Sequence, residues 1–204
     1  MEFQITAWSS IDDLISKIKS VSSCIAAPIE IERKWIVENS IIDFFKSFGA
    51  RKVRHLNNLQ AYLSVDPEVR YRSARDIDTG DTYHYIAYKS DGEMSREEYE
   101  HLITLPSALK FSKIIRDDKK IREYKGSKFI NKDYYVFEYN NIEYEISVVD
   151  DDKNFTYMEI EFADEFNANS FQIPELIKPF IIKEVTNDAS YKMKNYWKRT
   201  RLKK

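Results

Sequence analysis

The chain has 204 residues, which is enough for one domain with a hydrophobic core that needs no disulfide or metal to fold. Its formal net charge of −2 predicts no overall attraction to nucleic acid or acidic lipid. A single cysteine, Cys24, rules out an internal disulfide, and the sequence contains no membrane-length apolar run and no basic signal-like start. We therefore expect a cytoplasmic protein without membrane partners, in which Cys24 is an inert apolar residue.

The composition also narrows the kinds of ligand site. The four glycines are too scattered to form a phosphate-binding P-loop or a dinucleotide-binding turn. The three histidines are equally scattered, so a zinc site built from nitrogen and sulfur ligands is not expected. Any metal should therefore be a hard cation held by carboxylate oxygens.

Hydrophobic periodicity predicts a mainly β (α+β) protein with peripheral helices. Helical spacing of apolar residues predicts helices at 10–20, 38–48, 164–178 and 187–200. Alternating patterns predict strands at 28–37, 59–65, 67–75, 82–89, 94–104, 119–124, 134–139, 142–149 and 155–163. The Asn140-Asn141 pair is a good hairpin turn between two of these strands.

No linker or internal repeat divides the sequence. We predict a helical N-terminal extension at 1–27 and one barrel domain at 28–204 that ends in a basic helix. The loop at 124–133 is expected to be long. The charged side chains at the C-terminal end are expected to face solvent; they are Lys198, Arg199, Arg201, Lys203 and Lys204.

Charged residues occupy alternate positions in six of the predicted strands, so they share one face of each strand. These residues are Glu30, Glu32 and Lys34; Arg70 and Arg72; Arg96, Glu98 and Glu100; Lys120 and Arg122; Glu143 and Glu145; and Glu159 and Glu161. Such a face is either the solvent side of an open sheet or the interior of a closed barrel. A charged interior requires opposite charges, water, a metal or a charged ligand. A polyphosphate with Mg²⁺ or Mn²⁺ suits both the basic and the acidic groups.

Eight short motifs resemble, in order, those of the CYTH superfamily, the triphosphate tunnel metalloenzymes. They are Glu30-Ile31-Glu32-Arg33-Lys34, Ala61-Tyr62-Leu63-Ser64 with Val69-Arg70-Tyr71-Arg72, Tyr85-Ile86-Ala87-Tyr88-Lys89, Arg96-Glu97-Glu98-Tyr99-Glu100, Lys120-Ile121-Arg122, Glu145, Met158-Glu159-Ile160-Glu161, and Glu184-Val185-Thr186 with Asp188 and Tyr191-Lys192. The resemblance implies a closed antiparallel eight-stranded β-barrel. Its interior would bind a triphosphate and one or two divalent cations.

The resemblance also implies a role for each charged residue. The implied metal ligands are Glu30, Glu32, Glu145, Glu159 and Glu161. The implied substrate-binding residues are Lys34, Arg70, Arg72, Lys89, Lys120, Arg122 and Lys192. The implied catalytic residues are Arg96, Glu98 and Glu100, either as an ion-pair layer that orients the other groups or, for Glu98, by positioning water.

The function implied by the resemblance is a metal-dependent triphosphatase that uses Mg²⁺ or Mn²⁺. Its substrate would be inorganic tripolyphosphate or a nucleoside triphosphate, and the protein would be a monomer or a homodimer. The alternatives are a class IV adenylate cyclase, a thiamine triphosphatase, an RNA 5′-triphosphatase and a non-catalytic triphosphate sensor. The motifs alone do not separate these functions.

Overall fold

The computed structural model describes residues 2–5, 7–21 and 28–202, so Cys24 lies outside the described part of the chain. The helices are α1 (Ile11–Ser20), α2 (Ile41–Ser47), α3 (Leu105–Asp117), α4 (Glu165–Ser170) and α5 (Met193–Arg201). The strands are β1 (Ile29–Val37), β2 (Arg51–Ser64), β3 (Glu68–Asp76), β4 (Thr82–Lys89), β5 (Ser95–Leu102), β6 (Ile130–Tyr139), β7 (Ile142–Val149), β8 (Asp152–Glu161) and β9 (Ile181–Glu184). No helix in these ranges is long and apolar enough to cross a membrane.

Eight of the strands form a closed antiparallel barrel. Their hydrogen-bonded order is β5, β4, β3, β2, β6, β7, β8, β1, and β1 pairs back to β5 through the register of Glu30 with Arg96. The ninth strand, β9, pairs with the C-terminal end of β1, at residues 35–37. The predicted fold class, a mainly β protein with a closed eight-stranded barrel and peripheral helices, is therefore confirmed.

Alternation along each strand separates an apolar outer face from a charged inner face. On one side of the barrel, Phe45 of α2 stacks on Phe137 of β6 with ring centroids 5.3 Å apart. On the other side, Leu14 of α1, Phe111 of α3 and Trp197 of α5 are buried in a second apolar cluster. Each such side chain contributes roughly 1.5–3 kcal/mol of stabilisation. The charged faces turn inward, which excludes the open-sheet interpretation.

The region after β5 differs from the prediction. Residues 105–117 form α3, which follows the N-cap Thr104, has Pro106 in its first turn and buries Ala108, Phe111 and Ile115 at helical spacing. The predicted strand at 119–124 is wrong, because Ile121 makes only an isolated bridge to Leu202.

The predicted strand at 134–139 corresponds to β6, which begins earlier, at Ile130. Because 119–124 is not a strand, the loop between α3 and β6 runs from 118 to 129, earlier in the chain than the predicted loop at 124–133. The hairpin prediction at Asn140 and Asn141 agrees with the structure, since both residues have positive φ angles between β6 and β7. The predicted helix at 164–178 ends at Ser170, and β9 follows it without having been predicted.

A buried ion pair attaches α5 to the barrel. The Arg201 side chain is wholly buried, and its guanidinium lies 2.8 Å from the Asp150 carboxylate. The Tyr196 hydroxyl donates a hydrogen bond of 2.8 Å to the same carboxylate. We call Asp150, Tyr196 and Arg201 the C-terminal clamp.

The clamp corrects one prediction about the basic tail. Arg201 does not face solvent, because its side chain is buried against Asp150. This counter-charge lies in the turn between β7 and β8, which is distant in sequence. Lys198 and Arg199 are exposed as expected, whereas Lys203 and Lys204 lie outside the described residues.

Candidate functional site

The barrel encloses a cavity of about 390 Å³, a volume typical of ligand sites. Side chains from all eight barrel strands line it, and most of them are charged. Residues between 185 and 194 line it as well, including Thr186 and Lys192. The alternating charges in the sequence therefore meet in one enclosed space.

One half of the cavity is acidic. The glutamates of β7, β8 and β1 form what we call the acidic wall, made of Glu30, Glu32, Glu145, Glu159 and Glu161. Strand register places Glu32 directly opposite Glu161 and Glu145 directly opposite Glu159. Like charges opposite one another destabilise a sheet, so this arrangement does not stabilise the barrel.

Three of these carboxyl groups have raised pKa values. Burial, together with the charges of Glu159 and Glu30, raises the pKa of Glu32 to about 7. Burial and the charges of Glu161 and Glu159 raise the pKa of Glu145 to about 7. Partial burial and the charges of Glu30 and Glu32 raise the pKa of Glu161 to about 7. The acidic wall therefore holds more negative charge than its surroundings neutralise.

The other two carboxylates are held by cations. Lys89 and Arg96 lie 2.9 Å and 2.8 Å from the Glu30 carboxylate. Burial acts to raise the pKa of Glu30, but the charges of Lys89 and Arg96 outweigh it and lower the value. Lys34 lies 2.8 Å from Glu159, and its charge likewise overcomes the effect of burial on the pKa of that carboxyl.

The opposite half of the cavity is basic. The cationic side chains of β2, β3, β4 and β6 form what we call the basic wall, made of Arg54, Arg70, Arg72, Lys89 and Lys132. Four of these side chains are at least partly buried, whereas Arg54 is exposed. Because β2, β3, β4 and β6 are consecutive in the barrel, the two walls occupy opposite halves of its interior.

Strand β5 connects the two walls through the three residues predicted as catalytic. The Arg70 guanidinium lies 3.0 Å from Glu98 and 2.6 Å from Glu100. Arg72 also pairs with Glu100. Arg96 lies 2.8 Å from both Glu30 and Glu32. The acids of β5 thus neutralise part of the basic wall, and its arginine neutralises part of the acidic wall.

Lys132 is a cavity residue that sequence reasoning missed. Its ammonium group donates to the Tyr157 hydroxyl at 2.7 Å, and no carboxylate in the described part of the chain lies within salt-bridge distance. Burial lowers the pKa of Lys132 to about 7, although the charge of Glu159 opposes the shift. Lys132 lies in the segment 124–133, which the sequence pattern predicts to be a loop. Without a predicted strand, no pattern places its side chain inside the barrel.

Further hydrogen-bonding capacity lies beside Lys132. Asn58 is its cross-strand neighbour, and its side-chain amide is buried without a hydrogen-bond partner among the described residues. The Nε atoms of Arg70 and Arg72 are also buried and unpartnered there. Buried polar atoms without partners are costly unless water or a ligand satisfies them. Two side chains of the basic wall, Arg70 and Arg72, therefore have a guanidinium donor without a partner, whereas Asn58 does not line the cavity.

Of three further residues predicted to bind substrate, two lie outside the cavity and one lines it. Lys120 and Arg122 do not line the cavity and are exposed, because 119–124 is not a barrel strand. Arg122 instead donates to the carbonyls of Thr200 and Arg199 at the end of α5. Lys192 does line the cavity, where its ammonium donates to the Gly92 carbonyl.

The fold of this chain is similar to that of several solved structures, whereas sequence comparisons found no match. No protein-family profile and no curated protein matches the chain. Similar solved structures include the PH1012 protein of Pyrococcus horikoshii OT3, with 21% identity, a TM-score of 0.43, and coverage of 74% of this chain and 84% of that chain. The PH1819 protein of the same organism has 16% identity, a TM-score of 0.49, and coverage of 86% and 92%. The Schizosaccharomyces pombe Mediator head module has 12% identity, a TM-score of 0.42, and coverage of 71% and 86%.

The donor chemistry of the acidic wall suits a hard divalent cation such as Mg²⁺ or Mn²⁺. Within the described ranges, however, no three His, Cys, Asp or Glu side chains are arranged to hold a metal ion. Glu30, Glu32 and Glu159 bind basic side chains instead. The opposed glutamates and their raised pKa values nevertheless mean that a cation would relieve repulsion in this wall. The residues fit such a cation in charge and atom type, but Glu32 and Glu159 would have to exchange their basic partners for it.

Proposed function

We propose that the barrel binds a triphosphate with Mg²⁺ or Mn²⁺ and hydrolyses its terminal phosphoanhydride bond. The observation that carries this proposal is one cavity in which a basic wall with spare donors faces an acidic wall with unneutralised carboxyl groups. A plain anion suits only the first wall, and a plain cation suits only the second. A triphosphate with a bound divalent cation complements both.

The basic wall would bind the phosphate oxygens. Arg70 and Arg72 each use one side of the guanidinium for glutamates of β5 and keep Nε free. Lys132 adds a donor from β6. In phosphoryl transfer, positioned cationic donors stabilise negative charge on the equatorial oxygens of the transferred group.

The acidic wall would hold the cation through Glu32, Glu145, Glu159 and Glu161, and the bound cation would neutralise phosphate charge and activate water. Glu98 and Glu100 keep Arg70 in its position on the opposite side. This division of labour requires no covalent nucleophile, because attack of water in line with the leaving phosphate is sufficient. The motif resemblance to triphosphate tunnel metalloenzymes supports the same function, although Lys120 and Arg122 lie outside the cavity.

Product analysis tests this proposal. Purified protein is incubated with Mg²⁺ or Mn²⁺ and with tripolyphosphate, ATP or thiamine triphosphate, and orthophosphate, pyrophosphate and cyclic AMP are measured together. We expect orthophosphate release. Glu159→Gln should reduce it by about 100-fold or more, since removal of one transition-state contact has effects of this order. Glu123→Gln, at an exposed glutamate outside the cavity, is the control.

Other outcomes would contradict hydrolysis in distinct ways. Pyrophosphate with cyclic AMP would identify a cyclase that uses the same cavity. Tight triphosphate binding without any product would identify a sensor. Full activity of Glu159→Gln would remove the acidic wall from the mechanism.

A further inference from the structure

A second cavity lies at the end of the acidic wall. It has a volume of about 490 Å³ and is formed where β8 ends, where β7 begins and where α4 packs beside them. We call it the rim pocket. Glu145 and Glu161 line both the rim pocket and the barrel cavity, so the two spaces are adjacent at these side chains.

The rim pocket differs from the barrel cavity in chemistry. Its lining includes Ile142, Ile160, Phe162 and Phe171, which are partly or fully buried apolar side chains. The rings of Phe162 and Phe171 lie 5.3 Å apart at an angle of 58°. No lysine or arginine lines the pocket among the residues that the structure describes. It therefore offers apolar and aromatic surface directly beside the proposed cation site.

Polar groups are also present at the edge of the rim pocket. Asn141 is exposed in the turn between β6 and β7, and its side-chain amide makes no hydrogen bond within the described residues. Ser170, the last residue of α4, is exposed on another side of the pocket. An amide offers both a donor and an acceptor, which is the pairing needed to bind the edge of a heterocycle.

We propose that the rim pocket binds the base of a nucleoside triphosphate whose phosphates occupy the barrel cavity. This inference rests on the proposed function and specifies its substrate class. Inorganic tripolyphosphate has no apolar part and would leave the rim pocket unused. A flat heteroaromatic ring would bury one face against the apolar surface that Phe162 and Phe171 form together, and would present its polar edge to Asn141. The ribose and its phosphate ester would pass beside Glu145 and Glu161, the side chains that line both cavities.

Two substitutions alter the rim pocket without touching the barrel cavity. Ser170→Trp places a large ring in the pocket from an exposed position. Asn141→Gly removes the amide and keeps the turn, because Asn141 has a φ of 60°, a conformation that glycine adopts readily. Ser47→Trp is the matched control. Ser47 is also exposed, ends a helix and donates to the carbonyl four residues earlier, but it lines neither cavity.

The test compares ATP with tripolyphosphate, by KM and by calorimetric Kd, in the presence of Mg²⁺. We expect Ser170→Trp to weaken ATP binding by about 10-fold or more, since it displaces a buried ring. Asn141→Gly should weaken it by about 2- to 10-fold, the effect of losing one hydrogen bond. Tripolyphosphate binding should stay unchanged in both variants, and Ser47→Trp should bind both ligands like the wild type.

The outcomes separate this inference from the proposed function. If the wild type binds tripolyphosphate and neither rim substitution changes ATP binding relative to it, the rim pocket does not hold the base, and the triphosphatase proposal stands. Equal weakening of both ligands also overturns the inference. If the wild type binds neither ligand, the proposed function fails and this inference fails with it. If Ser170→Trp does not fold, ATP binding by Asn141→Gly alone tests whether the rim pocket holds the base.

Discussion

The C-terminal clamp and the barrel cavity both place charges away from water, but they differ in how those charges are matched. In the clamp, Asp150 accepts hydrogen bonds from Arg201, from the Tyr196 hydroxyl and from the backbone of Asn131. The one negative charge of Asp150 is therefore neutralised by the one positive charge of Arg201. In the cavity, glutamates stand opposite glutamates, and Lys132 has no carboxylate within salt-bridge distance among the described residues.

This difference indicates what each set of charges does. A buried ion pair whose charges cancel is neutral and holds two elements together, although it contributes little net stability over an apolar pair. The Nε atom of Arg201 has no hydrogen-bond partner among the described residues, so the contrast with the cavity rests on charge and not on complete hydrogen bonding. Charges that remain unmatched inside a fold lower its stability, and proteins retain such costs mainly at functional sites. The clamp is therefore structural, whereas the unmatched charges of the two walls support the proposed ligand site. Four predictions test this distinction.

The largest effect is expected in the clamp. Asp150→Asn should lower the free energy of unfolding by about 3–5 kcal/mol, because it leaves the Arg201 guanidinium buried without a counter-charge. Asparagine tolerates the positive φ of this position, so the turn itself is retained. Urea denaturation at neutral pH measures the change. A loss below about 1 kcal/mol would mean that the clamp does not attach α5 to the barrel.

In the basic wall, substitution should affect binding rather than stability. Lys132→Met removes a buried ammonium that has no carboxylate partner, so the free energy of unfolding should stay the same or rise. Tripolyphosphate binding should weaken by about 10- to 100-fold, the effect of one charged hydrogen bond. Calorimetry and urea denaturation on the same samples measure both quantities. Lys153→Met, at an exposed lysine outside the cavity, is the control. Unchanged tripolyphosphate binding in Lys132→Met would argue against a basic phosphate-binding wall.

The acidic wall should produce an unusual dependence of stability on pH. Glu32 and Glu145 have pKa values raised from 4.5 to about 7, so between these values the folded protein binds more protons than the unfolded chain. Their contribution to the free energy of unfolding therefore falls as pH rises from about 4.5 to about 7. Glu145→Gln should make this fall smaller, as seen in urea denaturation at pH 5 and pH 7. An identical fall in Glu145→Gln and in the control Glu123→Gln would contradict the account.

The smallest effect is expected outside the barrel. Arg122→Ala removes an exposed side chain that binds only carbonyls at the end of α5. Triphosphate hydrolysis should remain within about twofold of wild type, and stability within about 0.5 kcal/mol, as for most surface positions. The Lys120→Ala variant should behave in the same way. A tenfold loss of turnover in either variant would show that Lys120 or Arg122 contributes to the site after all.

The alternating charges placed most of the cavity lining on one face of each strand, whereas the closed barrel was predicted from the motif resemblance. Strands such as β1 and β8 carry a strict two-residue period, which assigns Glu30, Glu32, Glu159 and Glu161 to one face from local sequence alone. The helical spacing of Ala108, Phe111 and Ile115 also indicates α3 from local sequence.

Other features depend on partners that are distant in sequence. The lysine-arginine pair at 120–122 had the spacing of a barrel strand, whereas Lys132 stood alone and was assigned to a loop. Burial of Arg201 depends on Asp150, 51 residues earlier, and no local pattern indicates it. The opposition of Glu32 to Glu161 follows from strand register, which a single sequence does not reveal.

The most direct test of the ligand-binding account is a calorimetric titration of the wild-type protein with tripolyphosphate, with and without Mg²⁺. The account predicts saturable binding at one site per chain, tighter in the presence of Mg²⁺, because the cation neutralises the acidic wall while the phosphates occupy the basic wall. Absence of saturable heat, together with a melting temperature that millimolar tripolyphosphate and Mg²⁺ leave unchanged, would contradict it.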